Sequence, residues 1–167
     1  MIRPGKMSTA LGFTHDEVES LCHKHEMNLQ KMESWYDGYR IGKASRIFNP
    51  YSVMKAIYNE EYGSYWTSTG AYDSVKTYIQ MNFEGLKDDI IRMLAGERVY
   101  VNTSKFTNDM NNVRSKHDVL AVLIHLGYLA YDDDTKRCYV PNKEVCKLIF
   151  KILALPTAHS QLLTTGE

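Results

Sequence analysis

The sequence has no excess of either charge: twenty Lys and Arg residues face twenty Asp and Glu, for a formal net charge of zero. Such a chain carries no global electrostatic footprint for nucleic acid or an acidic membrane, which leaves only local patches to consider. Long apolar runs are missing as well; none approaches the roughly 20 residues that span a bilayer. Met1 to Ala10 lacks the apolar stretch of a signal peptide. Cysteine is scarce and odd in number, at Cys22, Cys138 and Cys146. That argues against a disulfide framework and fits a reducing cytoplasm. There is no Gly-x-Ser-x-Gly nucleophile motif, no internal repeat and no low-complexity tract. What remains is ordinary globular material: 167 residues, 44% hydrophobic and 24% charged, enough for one domain or two small subdomains. Tyrosine is the exception, with twelve residues clustered mainly between Trp35 and Tyr78.

Local signals predict a mainly helical α+β chain. Residues 1–10 read as a loose lead-in. Thr14-His15-Asp16-Glu17 is a capping box that opens a helix. Val18, Leu21, Cys22, Leu29 and Met32 continue it as an apolar stripe, with a break near Asn28. In Trp35-Tyr36-Asp37-Gly38-Tyr39 the aromatics bracket a dipeptide that favours a tight hairpin turn, and Arg46 to Phe48 supplies a returning strand. Asn49 caps a helix with Pro50 at its first position, running through Val53, Met54, Ile57 and Tyr58. Tyr62 to Gly70 is a connector. Helices follow over Ala71–Met81, with Val75, Tyr78 and Ile79 on one side, and over Leu86–Ala95, stopped by Gly96. Arg98 to Val101 alternates as a short strand. Ser115 and Asp118 start an apolar helix that ends at Gly127. Tyr128–Tyr131 and Arg137–Val140 form a hairpin, and Pro141-Asn142 leads into a last helix to about Leu155. The expected units are a helical lid-like subdomain with a small hairpin over 11–112, a winged-helix-like module over 113–155, and a polar tail over 156–167 that frays.

Each candidate site has a plainer competitor. Gly38 to Ala44 is the nearest approach to a nucleotide phosphate loop. It has three residues between the glycines instead of four, and Ala44 stands where a magnesium-binding hydroxyl belongs. A hairpin loop fits better. Cys22, His23 and His25 are metal-ligand types, but their helical spacing does not converge them on one point. Asp134-Thr135-Lys136 matches the acid-x-Lys element of metal-dependent nucleases, yet it is also ordinary turn chemistry. The helix–hairpin–helix outline raises duplex DNA binding through Lys116, Lys136 and Arg137, although three consecutive aspartates at the wing tip would repel phosphate. The aromatic block from Trp35 to Tyr51, with Tyr65-Trp66, reads either as a base- or sugar-stacking platform or as the core between two subdomains.

Five segments in order carry a resemblance. They are Leu11-Gly12-Phe13-Thr14-His15-Asp16-Glu17-Val18, Trp35-Tyr36-Asp37-Gly38-Tyr39, Phe48-Asn49-Pro50-Tyr51-Ser52-Val53, Tyr65-Trp66-Thr67-Ser68-Thr69-Gly70 and Leu126-Gly127-Tyr128-Leu129. Together they resemble the bacterial predicted AAA-ATPase-like proteins that usually carry a nuclease-like domain of the PD-(D/E)XK superfamily behind them. The likeness spans about Met7 to Leu148. It implies the region after the ATPase core, a lid-like part followed by a winged-helix-like part, lying between an upstream ATPase core and a downstream nuclease-like domain. ATP and magnesium would be held by that parent protein, with no cofactor and no catalytic residue in this chain. Arg40, Lys43 and Arg46 are the cations beside the signature, the candidates from which such a parent would draw one phosphate sensor. Two alternatives stand beside it: a nucleic-acid-binding winged helix, and an interaction module with an exposed apolar patch.

Overall fold

A computed structural model of the protein describes residues 12–41, 44–66, 71–81, 83–103 and 113–155. Seven helices and two small antiparallel sheets lie among them, so the chain is mainly helical α+β. Helices α1 (His15–Lys24) and α2 (Leu29–Tyr36) are separated at Asn28. Strands β1 (Tyr39–Ile41) and β2 (Ala44–Ile47) form the first sheet. Three helices follow: α3 (Pro50–Asn59), α4 (Ala71–Gln80) and α5 (Leu86–Leu94). Then come β3 (Val99–Tyr100), α6 (Lys116–His125), β4 (Ala130–Asp132), β5 (Arg137–Tyr139) and α7 (Lys143–Leu153). The second sheet has the order β3-β5-β4.

Helices α1, α2, α3, α6 and α7 start where short polar side chains satisfy otherwise unpaired amides, whereas α5 starts at Gly85 without a side-chain cap. Thr14 and Glu17 close the expected capping box. Asn28 accepts from the amide of Lys31 at 2.8 Å, Asn49 from Tyr51 at 3.0 Å and Asn142 from Val145 at 3.1 Å. Ser115 caps α6. Gly96 and Gly127 take positive φ values of 91° and 82° after α5 and α6, a conformation that glycine reaches without steric cost.

Two local expectations fail. Asp37-Gly38 is not the turn of the first hairpin, because β1 begins after it, at Tyr39, and pairs with β2 from Ala44 to Ile47. Tyr128 and Leu129 do not begin β4; they lie in the connection from α6, and the strand starts at Ala130.

The apolar residues gather in two clusters. One comprises Val18, Cys22, Met32, Trp35, Tyr36, Phe48, Val53, Ala56 and Ile57. The other runs from Val75 through Leu86, Ile90 and Met93 to Leu120, Leu123, Tyr128, Leu148 and Ile152. Helices α4 and α5 and strand β3 therefore pack with α6 and α7. The division between the two clusters falls near Trp66. Tyr65 packs on the first cluster and the adjacent Trp66 on the second. The tail over 156–167 and the lead-in over 1–10 lie outside the described residues.

Candidate functional site

The aromatic signature sits where the two clusters meet, and every residue of it is occupied. Trp35 closes the end of α2 with the ammonium groups of Lys143 and Lys147 over its ring, at 5.1 and 4.5 Å from the centroid. Tyr36 is fully buried, and its hydroxyl donates to the carbonyl of Gly63 and accepts from the Gly63 amide, both at 3.0 Å. Burial pushes the Tyr36 hydroxyl far up from its ordinary value, so it stays neutral. Asp37 accepts from Gly38 N at 2.6 Å and from Arg46 Nε at 3.0 Å, while its backbone carbonyl accepts from Asn142 Nδ2 at 2.9 Å. Gly38 has φ of 105°, and a Cβ there would stand 2.1 Å from the carbonyl oxygen of Pro141. Only glycine lets β1 approach the segment before α7 this closely. The Tyr39 hydroxyl donates to the carbonyl of Gly127 at 2.9 Å, and the Tyr139 hydroxyl donates to that of Gly38 at 3.1 Å. These are tight contacts between sequence-distant segments.

Glu144 adds a buried tie. It is 2% exposed on the first turn of α7, and its Oε1 accepts from the amide of Tyr65 at 2.7 Å. Burial pushes its carboxyl up, while the Ser52 hydroxyl and the amides of Tyr65 and Trp66 pull it back. The same segment of α7 thus holds the connector between clusters.

A cleft of about 500 Å³ opens beside this lock, lined by Asp37, Gly38, Tyr39, Arg40, Arg46, Arg98 and Tyr139. It contains two of the candidate phosphate-sensing cations, Arg40 and Arg46; Lys43 lies outside the described residues. Arg40 reaches across to Asp132 at 3.1 Å and Asp134 at 2.8 Å. Arg46 pairs with Glu33 and Asp37. Its backbone has φ of 61°, at an irregularity in the β1–β2 register. Arg98 pairs with Asp132 at 3.2 Å and stacks on the Tyr139 ring at 4.3 Å. The three guanidiniums are thus matched by four carboxylates. Arg40 of β1 and Arg98, just before β3, converge on Asp132 of β4, in a cleft whose local charge is slightly negative. At Asp132 burial raises the carboxyl's pKa, but the Asp134 amide, the Thr135 groups and Arg40 outweigh it and hold the carboxyl below its usual range.

The expected DNA-facing cations are also paired. Lys116 Nζ lies 2.8 Å from Asp89 Oδ2, Lys136 Nζ lies 2.6 Å from Asp133 Oδ1, and Arg137 donates to the Arg98 carbonyl at 3.4 Å. Asp134-Thr135-Lys136 occupies the β4–β5 turn, with Asp134 committed to Arg40. Cys22 is buried while His23 and His25 are exposed, so the three do not converge. All three cysteines are free thiols, and burial pushes Cys138 to about 12, which makes it inert at neutral pH.

One cluster escaped the sequence reading. His15, Asp16 and Glu19 at the start of α1 place their ligand atoms within 4.8 Å of one another. The His15 Nε2 meets Glu33 Oε1 at 2.8 Å. The i, i+4 spacing of His15 and Glu19 was the available signal. The group is largely exposed, and solvated acidic residues of this kind are common at helix starts.

No family model, curated protein or solved structure matches the chain. Among the described residues no helix is long and apolar enough to cross a membrane.

Proposed function

We propose that this chain is a non-catalytic coupling region of a cytoplasmic AAA-like ATPase, a lid-like part followed by a winged-helix-like part. An upstream core would hold ATP and magnesium, and this region would close over the nucleotide and pass its state to a downstream nuclease-like domain. The ordered motif set suggests the parent. The observation that carries the coupling role is the use made of Trp35 to Tyr39. Trp35 and Tyr36 belong to the first cluster, and Trp35 lies under Lys143 and Lys147 of α7; just after them the Asp37 carbonyl accepts from Asn142, Gly38 lies against Pro141 and the Tyr39 hydroxyl donates to Gly127. A displacement imposed on one cluster therefore moves the other, as a transmitting element requires. Of the candidate cations, Arg40 ties the first hairpin to the second through Asp132 and Asp134, and Arg46 ties β2 to α2 through Glu33 and Asp37, which favours a mechanical role over a catalytic one.

Two measurements test the reading. The chain alone is expected to leave ATP unhydrolysed; turnover above the level of contaminating enzyme, abolished by Lys43→Ala, would contradict it. The gene's neighbouring coding sequence is expected to encode a phosphate loop roughly two hundred residues upstream, a length implied by the resemblance. The nucleic-acid alternative predicts salt-sensitive duplex binding that is lost on removing Lys116, Lys136 and Arg137.

A further inference from the structure

Helix α3 is apolar on two sides. Val53, Ala56 and Ile57 enter the first cluster. Tyr51, Met54 and Tyr58 lie three and four residues apart on the other side and are 44%, 47% and 84% exposed. Of the four apolar residues that the expected helix runs through, Val53 and Ile57 are buried while Met54 and Tyr58 point outward. Met54 also lines a cavity of about 500 Å³ between α1 and α3, together with Phe13, Asp16, Glu17, Leu21 and Lys24. An exposed methionine and tyrosines beside a groove are the residue types that anchor partners, since Met adapts its shape and Tyr brings large area at small entropy cost.

The groove is charged asymmetrically. Asp16 and Glu17 line it on the first turn of α1, Glu19 stands beside Asp16 with carboxylate oxygens within 4.8 Å, and Lys24 lines the far end. Among the described residues no lysine or arginine pairs with Asp16, Glu17 or Glu19. The amide and hydroxyl of Thr14 hold the Glu17 carboxyl below its usual range, so the negative charge persists at neutral pH. A second copy of this chain would bring the same three acids against these, which disfavours self-pairing at this face.

The geometry points to a docking site for an amphipathic helix of a partner polypeptide, one that lays apolar side chains on Met54 and Tyr58 and basic side chains over Asp16, Glu17 and Glu19. The acidic end and Lys24 fix the direction in which that helix lies. This site rests on α1 and α3 alone and does not require the ATPase reading. An upstream ATPase core could be absent and the groove would still bind.

The test uses the full chain and two synthetic helices of equal length, one of leucine and lysine, the other of leucine and glutamate. Fluorescence anisotropy of the labelled peptides should show the lysine helix binding at least tenfold more tightly, with affinity falling as salt rises. Amide shift changes should concentrate in residues 13–24 and 51–58. Tyr58→Ser and Met54→Ser should each weaken binding several-fold with unchanged melting temperature, and Asp16→Lys with Glu19→Lys should erase the preference between peptides. Equal affinity for both helices, shifts spread over the surface, or dimerisation of the free chain through this face at micromolar concentration would each overturn the proposal.

Discussion

Gly38 is the residue on which the lock turns. An alanine there meets two costs, a positive φ and a methyl group 2.1 Å from a backbone carbonyl that no side-chain rotation can move. Strain of the first kind alone runs to about 1–3 kcal/mol. Gly38→Ala is therefore expected to lower unfolding free energy by about 3 kcal/mol or more in urea titrations, whereas Gly96→Ala, with the same sign of φ but open space around it, should cost much less. Equal losses at the two positions would show that contact with Pro141 is unimportant. Glu144 gives a second handle. Its carboxyl is raised above the ordinary 4.5 by burial, so the folded state binds the proton more readily than the unfolded chain. That contributes stability present below 4.5 and lost as pH rises through the folded value. Glu144→Gln keeps an acceptor for the Tyr65 amide and removes the charge. Thermal melts should show the variant gaining on the parent as pH increases toward neutrality; parallel melting temperatures across that range would refute the assignment. Asp132 titrates with the opposite sign and is unchanged in both proteins, so the difference isolates Glu144.

At the scale of elements, Asn142 serves twice. Its Oδ1 caps α7, and its Nδ2 donates to Asp37 across the junction. Asn142→Ala should cost about 1–2 kcal/mol from the cap and about 1 more from the lost junction bond. Asn142→Asp retains the cap and lacks the donor, so it should recover only the first part in denaturant melts; full recovery would mean that the bond to Asp37 contributes nothing. The contrast also marks what a sequence reader can see. Caps at Thr14, Asn28, Asn49 and Ser115 act within three residues, and the stops at Gly96 and Gly127 are equally local, so element positions were legible. The role of Asp37-Gly38 was not, because the Pro141 carbonyl that dictates glycine comes from far along the chain. Two apolar faces on α3 likewise share one periodicity, and only packing reveals which one is covered. The His15–Asp16–Glu19 group was overlooked beside Cys22 and His23, and its link to Glu33 exists only once α2 lies against α1.

For the molecule as a whole, the lock implies that two small cores unfold as one. The two tryptophans report on them separately. Trp35 belongs to the first cluster, and Trp66 packs edge-on against Tyr128 of the second, with ring centroids 4.5 Å apart. In Trp66→Phe the remaining fluorescence follows the first cluster, and in Trp35→Phe it follows the second. Far-UV circular dichroism follows both, since helices are distributed over the two clusters. Each variant should show fluorescence and dichroism midpoints coinciding within about 0.2 M urea, the signature of a single transition. Adding Gly38→Ala pulls β1 away from Pro141, which weakens the Asn142 and Tyr139 bonds on either side of it. The midpoints should then separate, with the Trp35 signal lost at lower denaturant, because the first cluster buries fewer side chains than the second. Separate midpoints with Gly38 intact would mean that the clusters are independent domains, and a structure in which they are independent could not transmit a displacement from one to the other.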